Sequence, residues 1–387
     1  MSRTEQQAPD AVVIGAGVIG LSVAFELGRG SRRVLVLERG AAVARGATRA
    51  SGGMLAPVSE VEFETDELIS LAADSLRRYP EFIEEVERIG EIDCGYRREG
   101  TLWVALERDD VAELQQLAGS LAAKRFEARW LDPDEIHAAE PHLTGRVLGG
   151  LRVASDHQVD PRALCLGLEQ AVNRCGCDVE TGAAVRAVET ADDGRLVVRG
   201  VRSDGDAFAI HTPTVVLAAG AWSMHEMTLP IERLSLRPVK GQLVRLRGAE
   251  LLRHVVRTPH VYIVPRADGQ LLIGATMEEM GFDTTPTAGA TMDLLRRCWQ
   301  ALPGIYDLEL VEVSVGLRSA VDDHLPVVGE TNVPGLYLAC GHFRNGVLLA
   351  PATAHYLARW IVEQREPAAL SCFAPRRIAG SESAHPA

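Results

Sequence analysis

A glycine-rich turn between an apolar strand and a helix is the feature that most constrains this chain. Residues 11–14 form a short apolar run of the kind expected of a buried parallel strand, and Gly15-Ala-Gly17-Val-Ile-Gly20 follows at once. A helical pattern then covers residues 18–28, and a second apolar run over residues 34–37 ends in Glu38. Strand, glycines, helix, strand and acid in this order predict an α/β domain that binds a dinucleotide.

Each residue type in this turn has a physical role in such a site. Gly15 permits the tight turn, Gly17 lets a pyrophosphate approach the backbone, and Gly20 lets the helix pack closely on the strand. The helix N-terminus presents unpaired N–H groups and a partial positive charge to the phosphates. Glu38 is placed to accept hydrogen bonds from a ribose diol, and its charge disfavours the 2′-phosphate of NADP.

Two other interpretations fit this segment less well. A glycine-rich turn can occur in an ordinary α/β domain, but here all five parts of the motif appear in order. A membrane span is suggested by the mostly apolar residues 11–27. Three glycines and Glu26 argue against a span, and the run is shorter than the roughly 20 residues that a span needs.

Charge and cysteine content argue against several classes of function. The formal net charge of −13 disfavours nucleic acid or an anionic membrane surface as a partner. The chain opens with a polar segment rather than a basic and apolar leader, so we expect a cytoplasmic protein. Seven cysteines are an odd number for a disulfide framework, and no Cys/His cluster has zinc spacing. We therefore expect reduced thiols and no metal site.

Further along the chain, α/β patterns alternate with a long antiparallel pattern. Residues 44–57 are rich in small residues, which suits a loop that wraps a polar cofactor, although a plain surface loop is the alternative. Residues 179–188 read as a strand, and residues 236–277 read as a run of antiparallel strands and turns. A last strand over residues 335–339 leads into a loop at 341–346 and a final helix.

The order of these patterns predicts two interleaved lobes. At 387 residues the chain is long enough for two, by a prior of about 150 residues per domain. The predicted fold class is α/β, with a Rossmann-like cofactor-binding domain and an interleaved antiparallel-sheet substrate domain. The expected boundaries are 8–80, 145–225 and 312–372 for the first domain, 81–144 and 226–311 for the second, and 373–387 for a small polar tail.

Several polar residues in these patterns have two interpretations each. Arg318 follows a strand predicted over residues 309–317, and it is either a surface charge or a planar, bidentate clamp for a carboxylate. Arg344, in a glycine-flanked loop, presents the same choice. Tyr262 alternates with apolar neighbours and is either a core residue or a site residue, and Met277 is equally compatible with packing.

Seven short segments carry a resemblance to a known family. They are VVIGAGVIG near the start, the loop ending SGGML, PVKGQ (238–242), YIVPR (262–266), IGATM (273–277), GLR (316–318) and GHFRNGVLLAPAT from Gly341. On these segments, over about residues 11–365, the chain resembles the D-amino-acid oxidase family of FAD enzymes, and within it the glycine oxidases. The first segment is common to many flavoproteins, whereas the last is much more specific.

The resemblance implies that FAD is the cofactor and that it is bound without a covalent bond. Related sarcosine oxidases carry a flavin-linked cysteine near the position of Val315, and valine cannot form that bond. Val185 is implied at the adenine end, and residues 342–348 along the isoalloxazine ring. Gly220 closes an apolar strand predicted over residues 214–219, and a strand that ends in Ala-Gly suits close approach of a cofactor to the backbone. With Gly220, the motif and the resemblance place these residues at the cofactor: Gly15, Gly17, Val18, Ile19, Gly20, Glu38, Arg39, Ala47, Thr48, Gly52, Gly53, Met54, Val185, His342, Phe343, Arg344, Asn345, Gly346, Val347 and Leu348.

The resemblance also implies how a substrate is held. The residues that it places at the substrate are Arg318, Tyr262, Arg344, Met277 and Met54. Arg318 would bind the carboxylate, and the two methionines would narrow the pocket. No side chain is needed as an obligatory base, because the flavin supplies the hard chemistry. The family usually has proline after this arginine, and we expect Ser319 in its place to loosen the clamp.

The implied reaction is the oxidative deamination of glycine. It gives an imine or glyoxylate, ammonia and hydrogen peroxide, with O2 as electron acceptor, and it serves the thiazole branch of thiamine biosynthesis by hand-off to thiazole synthase. The family suggests a homotetramer. The sequence leaves sarcosine or small D-amino acids open as substrates, another electron acceptor in place of O2, and a flavoprotein subunit of a larger complex. A nicotinamide enzyme fits least, because the wrapping loop and the C-terminal loop suit FAD.

Overall fold

The computed structural model describes residues 8–57 and 65–378. In that part of the chain the strands are β1 (Ala11–Ile14), β2 (Val34–Glu38), β3 (Met54–Leu55), β4 (Thr101–Ala105), β5 (Arg129–Leu131), β6 (Gly149–Val153), β7 (His157–Gln158), β8 (Asp178–Thr181), β9 (Ala183–Thr190), β10 (Leu196–Arg202), β11 (Ala207–Thr212), β12 (Val215–Leu217), β13 (Arg237–Arg247), β14 (Val255–Arg257), β15 (Tyr262–Pro265), β16 (Gln270–Gly274), β17 (Glu309–Ala320), β18 (Val327–Glu330) and β19 (Leu336–Cys340). The α-helices are α1 (Val18–Arg29), α2 (Asp66–Gly90), α3 (Arg108–Ala123), α4 (Pro133–Ala139), α5 (Pro161–Arg174), α6 (Ala288–Ala301) and α7 (Gly346–Glu363).

Local sequence explains where several helices begin. The side chain of Thr65 accepts the N–H of Leu68 at the start of α2, and Asp160 caps α5, whose first residue is Pro161. These are the residue types that satisfy or avoid the unpaired N–H groups of a first turn. Within the two described ranges, no helix is both long enough and apolar enough to span a membrane.

A six-stranded sheet in the order β18-β19-β12-β1-β2-β8 forms the centre of one layer. Five of its strands are parallel, and β18 adds an antiparallel edge. Val13 on β1 joins a buried cluster with α1, α2, α5 and α7, whereas Val12 and Ile14 join a cluster with the small sheet β11-β10-β9. Both faces of the parallel sheet are therefore covered, as such sheets require.

An eight-stranded sheet in the order β17-β13-β16-β15-β14-β4-β6-β5 forms the second layer. Its neighbouring strands are antiparallel except for the pair β14 and β4. The helix α6 packs on this sheet through Leu294 and Cys298, and α3 packs on β4 and β6 through Leu114. The architecture confirms the predicted fold class, an α/β fold with a Rossmann-like sheet and an interleaved, mostly antiparallel sheet.

Two strand predictions differ from the structure, and some strands were not predicted. The strand predicted over residues 179–188 is two strands, because Gly182, with φ +70°, turns the chain from β8 in one sheet to β9 in another. Arg318 does not follow its strand but lies inside β17, since pairing with β13 continues to Ala320. The antiparallel region also contains β14, and β11 follows β10; neither was predicted as a strand.

The expected domain boundaries do not coincide with the elements everywhere. Residue 80 lies inside α2, and β6 belongs to the eight-stranded sheet although residues 145–225 were assigned to the other lobe. The expected tail is also too long, because Phe373 and Ala374 are buried and Arg377 pairs with Asp323 at 3.1 Å. The end of that tail, residues 379–387, lies outside the described residues. The division into two lobes stays a proposal.

Candidate cofactor and substrate site

The first turn of the site depends on two glycines that leave no room for a side chain. Gly15 has φ +107°, and a Cβ there would lie 2.6 Å from the carbonyl oxygen of Ala218. A Cβ on Gly20 would lie 1.9 Å from the carbonyl oxygen of Gly15, so α1 packs directly on β1. Gly17 immediately precedes α1, whose N-terminal N–H groups attract anions. The backbone has the shape that the sequence predicts for a pyrophosphate cradle.

Glu38 is held at the carboxyl end of β2 by the backbone around it. Its two carboxylate oxygens accept the N–H groups of Ala16 at 2.9 Å and Gly40 at 2.8 Å. A carboxylate has about four acceptor positions, so lone pairs remain for a ribose diol. The next residue, Arg39, places its guanidinium 3.9 Å from the ring centre of Trp222. Arg39 and Trp222 thus form a wall beside Glu38.

The small-residue loop 44–54 is fixed by contacts from both layers. The hydroxyl of Thr48 accepts the N–H of Val18, the first residue of α1, at 3.2 Å. Arg266, which is buried, donates to the carbonyl oxygen of Gly52 at 2.7 Å. Burial lowers the pKa of Arg266 to about 10, so the side chain remains charged at neutral pH. The loop is therefore a built part of the site rather than a plain surface loop.

An ionic cluster around Glu312 of β17 supports the same loop. The carboxylate pairs with Arg49 at 3.0 Å and with Arg162 of α5, and it accepts the hydroxyl of Ser314 at 2.5 Å. Burial alone would raise the pKa of Glu312, but the bonds from Arg162 and Ser314 outweigh it and hold the pKa at about 2. Glu312 is therefore ionised throughout the neutral range and ties the loop to β17.

The loop between β19 and α7 carries two left-handed backbone positions. Gly341 has φ +72° and Phe343 has φ +47°, and the second is uncommon for a residue with a side chain. The N–H of Phe343 donates to the carbonyl oxygen of Ser319 at 2.8 Å, and the N–H of Gly341 donates to the Ser319 hydroxyl at 3.1 Å. The serine that we expected to loosen the Arg318 clamp thus joins β17 to this loop through two hydrogen bonds.

His342 lies buried in this loop, just before α7. Its Nε2 lies 3.1 Å from the hydroxyl oxygen of Thr353. Burial lowers the pKa of His342 to about 3, so the imidazole is neutral at physiological pH. The first turn of α7, residues 346–348, follows. It lies on the wall of the cavity described below and gives that wall a partial positive charge.

Arg318 is placed by its own strand pair. On the neighbouring strand β13, a Cβ at Gly241 would lie 2.4 Å from Nη1 of Arg318, so only glycine leaves room for the guanidinium. Nη1 donates to the carbonyl oxygens of Thr276 at 3.0 Å and Lys240 at 3.4 Å. These contacts fix the orientation of a planar fork that matches a carboxylate.

Tyr262 and Met277, which the sequence resemblance places at the substrate, line one cavity together with Arg318. The Tyr262 ring lies between two glycines, because a Cβ on Gly274 or on Gly52 would approach a ring carbon to 2.4 or 2.9 Å. Burial raises the pKa of Tyr262, so the phenol stays protonated and can donate a hydrogen bond. The Met277 side chain is 59% exposed, and its sulfur accepts a contact from Nη2 of Arg344 at 3.1 Å. Met277 and Arg344 therefore lie towards solvent.

One cavity of about 1050 Å³ brings almost all the predicted residues together. Those on its wall are Gly15, Gly17, Val18, Ile19, Glu38, Arg39, Ala47, Thr48, Gly52, Gly53, Met54, Val185, Gly220, Tyr262, Met277, Arg318, His342, Phe343, Arg344, Asn345, Gly346, Val347 and Leu348. Gly20 alone among the predicted residues is not on the wall, because it lies in α1 on the side that packs against the Gly15 turn.

The residues of this wall fit FAD. The volume is at or above the upper end of the roughly 300–1000 Å³ typical of small-molecule sites. The Gly15 turn suits a pyrophosphate, the Glu38 carboxylate suits a ribose, and the N-terminus of α7 suits an anionic ring edge. Arg318 lies on the same wall and suits a small carboxylate next to the ring.

Some site residues were not predicted from the sequence. The cavity wall also includes Trp222, Arg257 and His260. Lys240 is not on the wall, but its carbonyl oxygen accepts from Arg318; its side chain is 0% exposed, and its ammonium donates to Asp283 and to the carbonyl oxygen of Thr285, each at 2.6 Å. These bonds hold the segment after Met277 in place. The position of Lys240 inside the segment PVKGQ could have drawn attention to it. Its partners could not be predicted, because they are more than forty residues away in the chain.

Known proteins resemble this chain over nearly all its length. A family model described as FAD dependent oxidoreductase matches residues 10–360. The crystal structure of glycine oxidase from Geobacillus kaustophilus superposes with a TM-score of 0.86 at 31% identity, covering 95% of this chain and 98% of that one. Hydrogen cyanide synthase subunit HcnC of Pseudomonas aeruginosa is 31% identical over 95% of this chain and 96% of its own length.

A longer relative matches over only part of its own length. The bifunctional protein ThiO/ThiG of Trichormus variabilis is 35% identical over 97% of this chain but 56% of its own sequence. The chain thus spans about half the length of its ThiO/ThiG relatives. The family model confirms the resemblance predicted from the motifs, the assignment as an oxidoreductase and FAD as the cofactor. With a match over residues 10–360 and a wall that fits FAD, the chain belongs to the family of FAD-dependent oxidoreductases.

Proposed function

We propose that the protein oxidises glycine with FAD, giving an imine that hydrolyses to glyoxylate and ammonia, while O2 is reduced to hydrogen peroxide. The position of Arg318 is the observation that carries this proposal. Its guanidinium is fixed over Gly241 and shares one cavity with Tyr262 and the first turn of α7. A carboxylate-binding fork beside the predicted flavin position is what the oxidation of a small amino acid requires.

The side chains bind and orient the substrate. Arg318 donates two parallel N–H bonds to the substrate carboxylate, and the protonated hydroxyl of Tyr262 donates a further one. With the carboxylate fixed, the neutral amine and the α-carbon are held within the cavity whose wall includes residues 346–348. Met54 and Met277 bound the remaining space and disfavour large side chains on the α-carbon.

FAD, when bound, supplies the acceptor for the hydride that leaves the α-carbon. No side chain of the wall is required to take a proton from that carbon. His342 is neutral, but its Nε2 is engaged with Thr353, and Tyr262 stays protonated. The amides of the first turn of α7 contribute positive potential, and the other residues contribute orientation.

The same site supports two neighbouring candidates. Sarcosine or a small D-amino acid would use the same carboxylate contact and differ only in the space needed beside Met54 and Met277. The similarity to HcnC, which is named as a subunit of hydrogen cyanide synthase, supports a flavoprotein subunit of a larger complex. Either candidate leaves the carboxylate contact of Arg318 unchanged.

The proposal also covers the pathway, the assembly and the location of the protein. The similarity to ThiO/ThiG supports a role in thiamine biosynthesis, with the imine passed to thiazole synthase. A homotetramer, a cytoplasmic location and the division into two lobes belong to the same proposal.

The test is anaerobic mixing of the FAD-loaded protein with glycine, sarcosine and D-alanine in turn, followed by flavin absorbance. Rapid bleaching by glycine, with peroxide on readmission of air, supports the proposal. Bleaching by sarcosine or D-alanine but not by glycine would change the proposed substrate and leave the proposed amine oxidation unchanged. Bleaching by glycine without peroxide supports a different acceptor, and no bleaching by any of the three contradicts amino-acid oxidation.

A further inference from the structure

Pro351 interrupts the hydrogen bonds of α7 close to the cofactor cavity. Proline has no N–H, so the carbonyl oxygen of Val347 lacks the helical donor that residue 351 would otherwise supply. The proline ring also crowds that carbonyl. Val347 and Leu348 lie on the cavity wall, within the first turn of the helix. The interruption therefore falls on the residues that face the predicted flavin position.

Two side chains of α2 bind the backbone groups around this interruption. The hydroxyl of Tyr79 donates to the carbonyl oxygen of Val347 at 2.5 Å. The hydroxyl of Ser75 donates to the carbonyl oxygen of Leu348 at 2.6 Å and accepts the N–H of Ala352 at 3.1 Å. Ser75 and Tyr79 are four residues apart, so they lie on one face of α2, and both are 0% exposed.

We propose that Ser75 and Tyr79 are positioning residues for the cofactor: they set the first turn of α7 so that its N–H groups meet the flavin. Without the Tyr79 hydroxyl, the Val347 carbonyl would be buried without its donor, which is unfavourable. The helix end would then shift to find another donor. Because Gly346, Val347 and Leu348 are on the cavity wall, that shift displaces the amides at the cofactor.

The chemistry of Tyr79 suits a permanent contact. Burial raises its pKa well above the usual value, so the hydroxyl stays a donor over the working pH range. The contact does not depend on the substrate. The inference rests on the FAD part of the proposed function and is independent of whether glycine is the amino acid oxidised.

A matched control is available on the same pair of helices. Further along α7, the hydroxyl of Tyr356 donates to Asp74 at 3.1 Å and accepts from Arg78 at 3.3 Å, both on α2. Tyr356→Phe therefore removes a tyrosine hydroxyl between α2 and α7 without touching the groups around Pro351. A role limited to helix packing predicts similar effects for Tyr79→Phe and Tyr356→Phe on every readout.

The experiment compares the full-length variants Tyr79→Phe, Ser75→Ala and Tyr356→Phe. FAD is titrated into each apoprotein, its fluorescence quenching gives Kd, and the midpoint potential of the bound flavin is measured on the same samples. We expect Tyr79→Phe to weaken FAD binding roughly five- to thirty-fold and to make the potential more negative. Ser75→Ala should act in the same direction, and Tyr356→Phe should leave Kd and potential at wild-type values.

Pro351→Ala provides a rescue that a packing role would not give. Alanine at position 351 restores an N–H for the Val347 carbonyl, so Tyr79→Phe should weaken FAD binding less in the Pro351→Ala background than alone. If Tyr79→Phe lowers the melting temperature but leaves Kd and potential at the Tyr356→Phe values, the positioning role is wrong. If Tyr79→Phe does not fold alone, Ser75→Ala and the double variant Tyr79→Phe/Pro351→Ala are compared with Tyr356→Phe by Kd and potential in the same way. Failure of glycine to reduce the flavin would overturn the proposed substrate and leave these measurements unaffected.

Discussion

At position 318 the side chain is oriented before any substrate binds. Two backbone carbonyls and the absence of a Cβ at Gly241 hold the guanidinium in place. Arg318→Ala should therefore raise the KM for the oxidised amino acid by about 100-fold or more, because two charge-assisted hydrogen bonds are lost. Steady-state kinetics by peroxide release measures this. Arg318→Lys keeps the charge and loses the planar fork, so its KM should lie between the wild-type and Arg318→Ala values. An unchanged KM for Arg318→Ala would exclude the clamp.

The residue after it, Ser319, tests whether the strand and the C-terminal loop act together. Its hydroxyl accepts the N–H of Gly341, and its side chain is buried. Ser319→Ala leaves that N–H without its acceptor and should lower the free energy of unfolding by about 1–3 kcal/mol, with weaker FAD binding. Thermal melting and FAD titration measure both. Ser319→Thr keeps a hydroxyl, so its melting temperature and FAD affinity should stay near the wild-type values. Equal losses of stability and FAD affinity in the two variants would assign the effect to packing.

The residues that sequence reasoning found are those whose role follows from near neighbours. Gly15 and Glu38 belong to one continuous motif, so their positions could be predicted. Ser75 and Tyr79 could not, because their partners on α7 lie more than 260 residues away in the chain. No periodicity or spacing encodes such a contact. Lys240 was visible as part of a motif, but its buried ion pair with Asp283 was not.

At the scale of elements, the loop 44–54 depends on the charge of Glu312. Its pKa of about 2 is below the usual carboxyl value, so its pairing stabilises the folded protein fully above the unfolded pKa of about 4.5 and is lost as pH falls towards 2. Glu312→Gln should therefore melt at a lower temperature than wild type above about pH 5, and the difference should shrink below it. Melting temperatures measured across this range test the sign. A difference that grows on acidification would contradict it.

Elements were predicted well where their pattern is local and poorly where pairing sets their ends. The helices α2 and α5 carry capping residues and apolar periodicity within themselves. The end of β17 is set by β13, which pairs with it as far as Ala320, so Arg318 was misplaced to the strand's end. Likewise, Gly182 moves the chain between sheets, and no feature of residues 179–188 shows which sheet each half joins.

At the scale of the whole molecule, the cavity wall takes residues from both layers. Gly15 follows β1 and Glu38 ends β2, both strands of the parallel sheet, whereas Tyr262 and Arg318 lie in the eight-stranded sheet. A cofactor in this cavity contacts both layers at once and binds only when they are assembled. FAD binding should therefore stabilise the whole fold rather than one lobe.

This linkage predicts that the melting temperature rises with free FAD concentration. At 100 times Kd, a ligand that binds only the folded protein adds about 2.7 kcal/mol, which for a chain of this size is a shift of several degrees. Gly15→Ala places a Cβ 2.6 Å from the Ala218 carbonyl oxygen and should abolish the dependence on FAD. Gly119→Ala, where a Cβ meets nothing within 4 Å, is the matched control and should keep it. A single cooperative transition whose melting temperature rises with FAD in Gly119→Ala but not in Gly15→Ala would assign the linkage to the glycine turn. A wild-type melting temperature that does not change with FAD would show that the cofactor does not join the two layers.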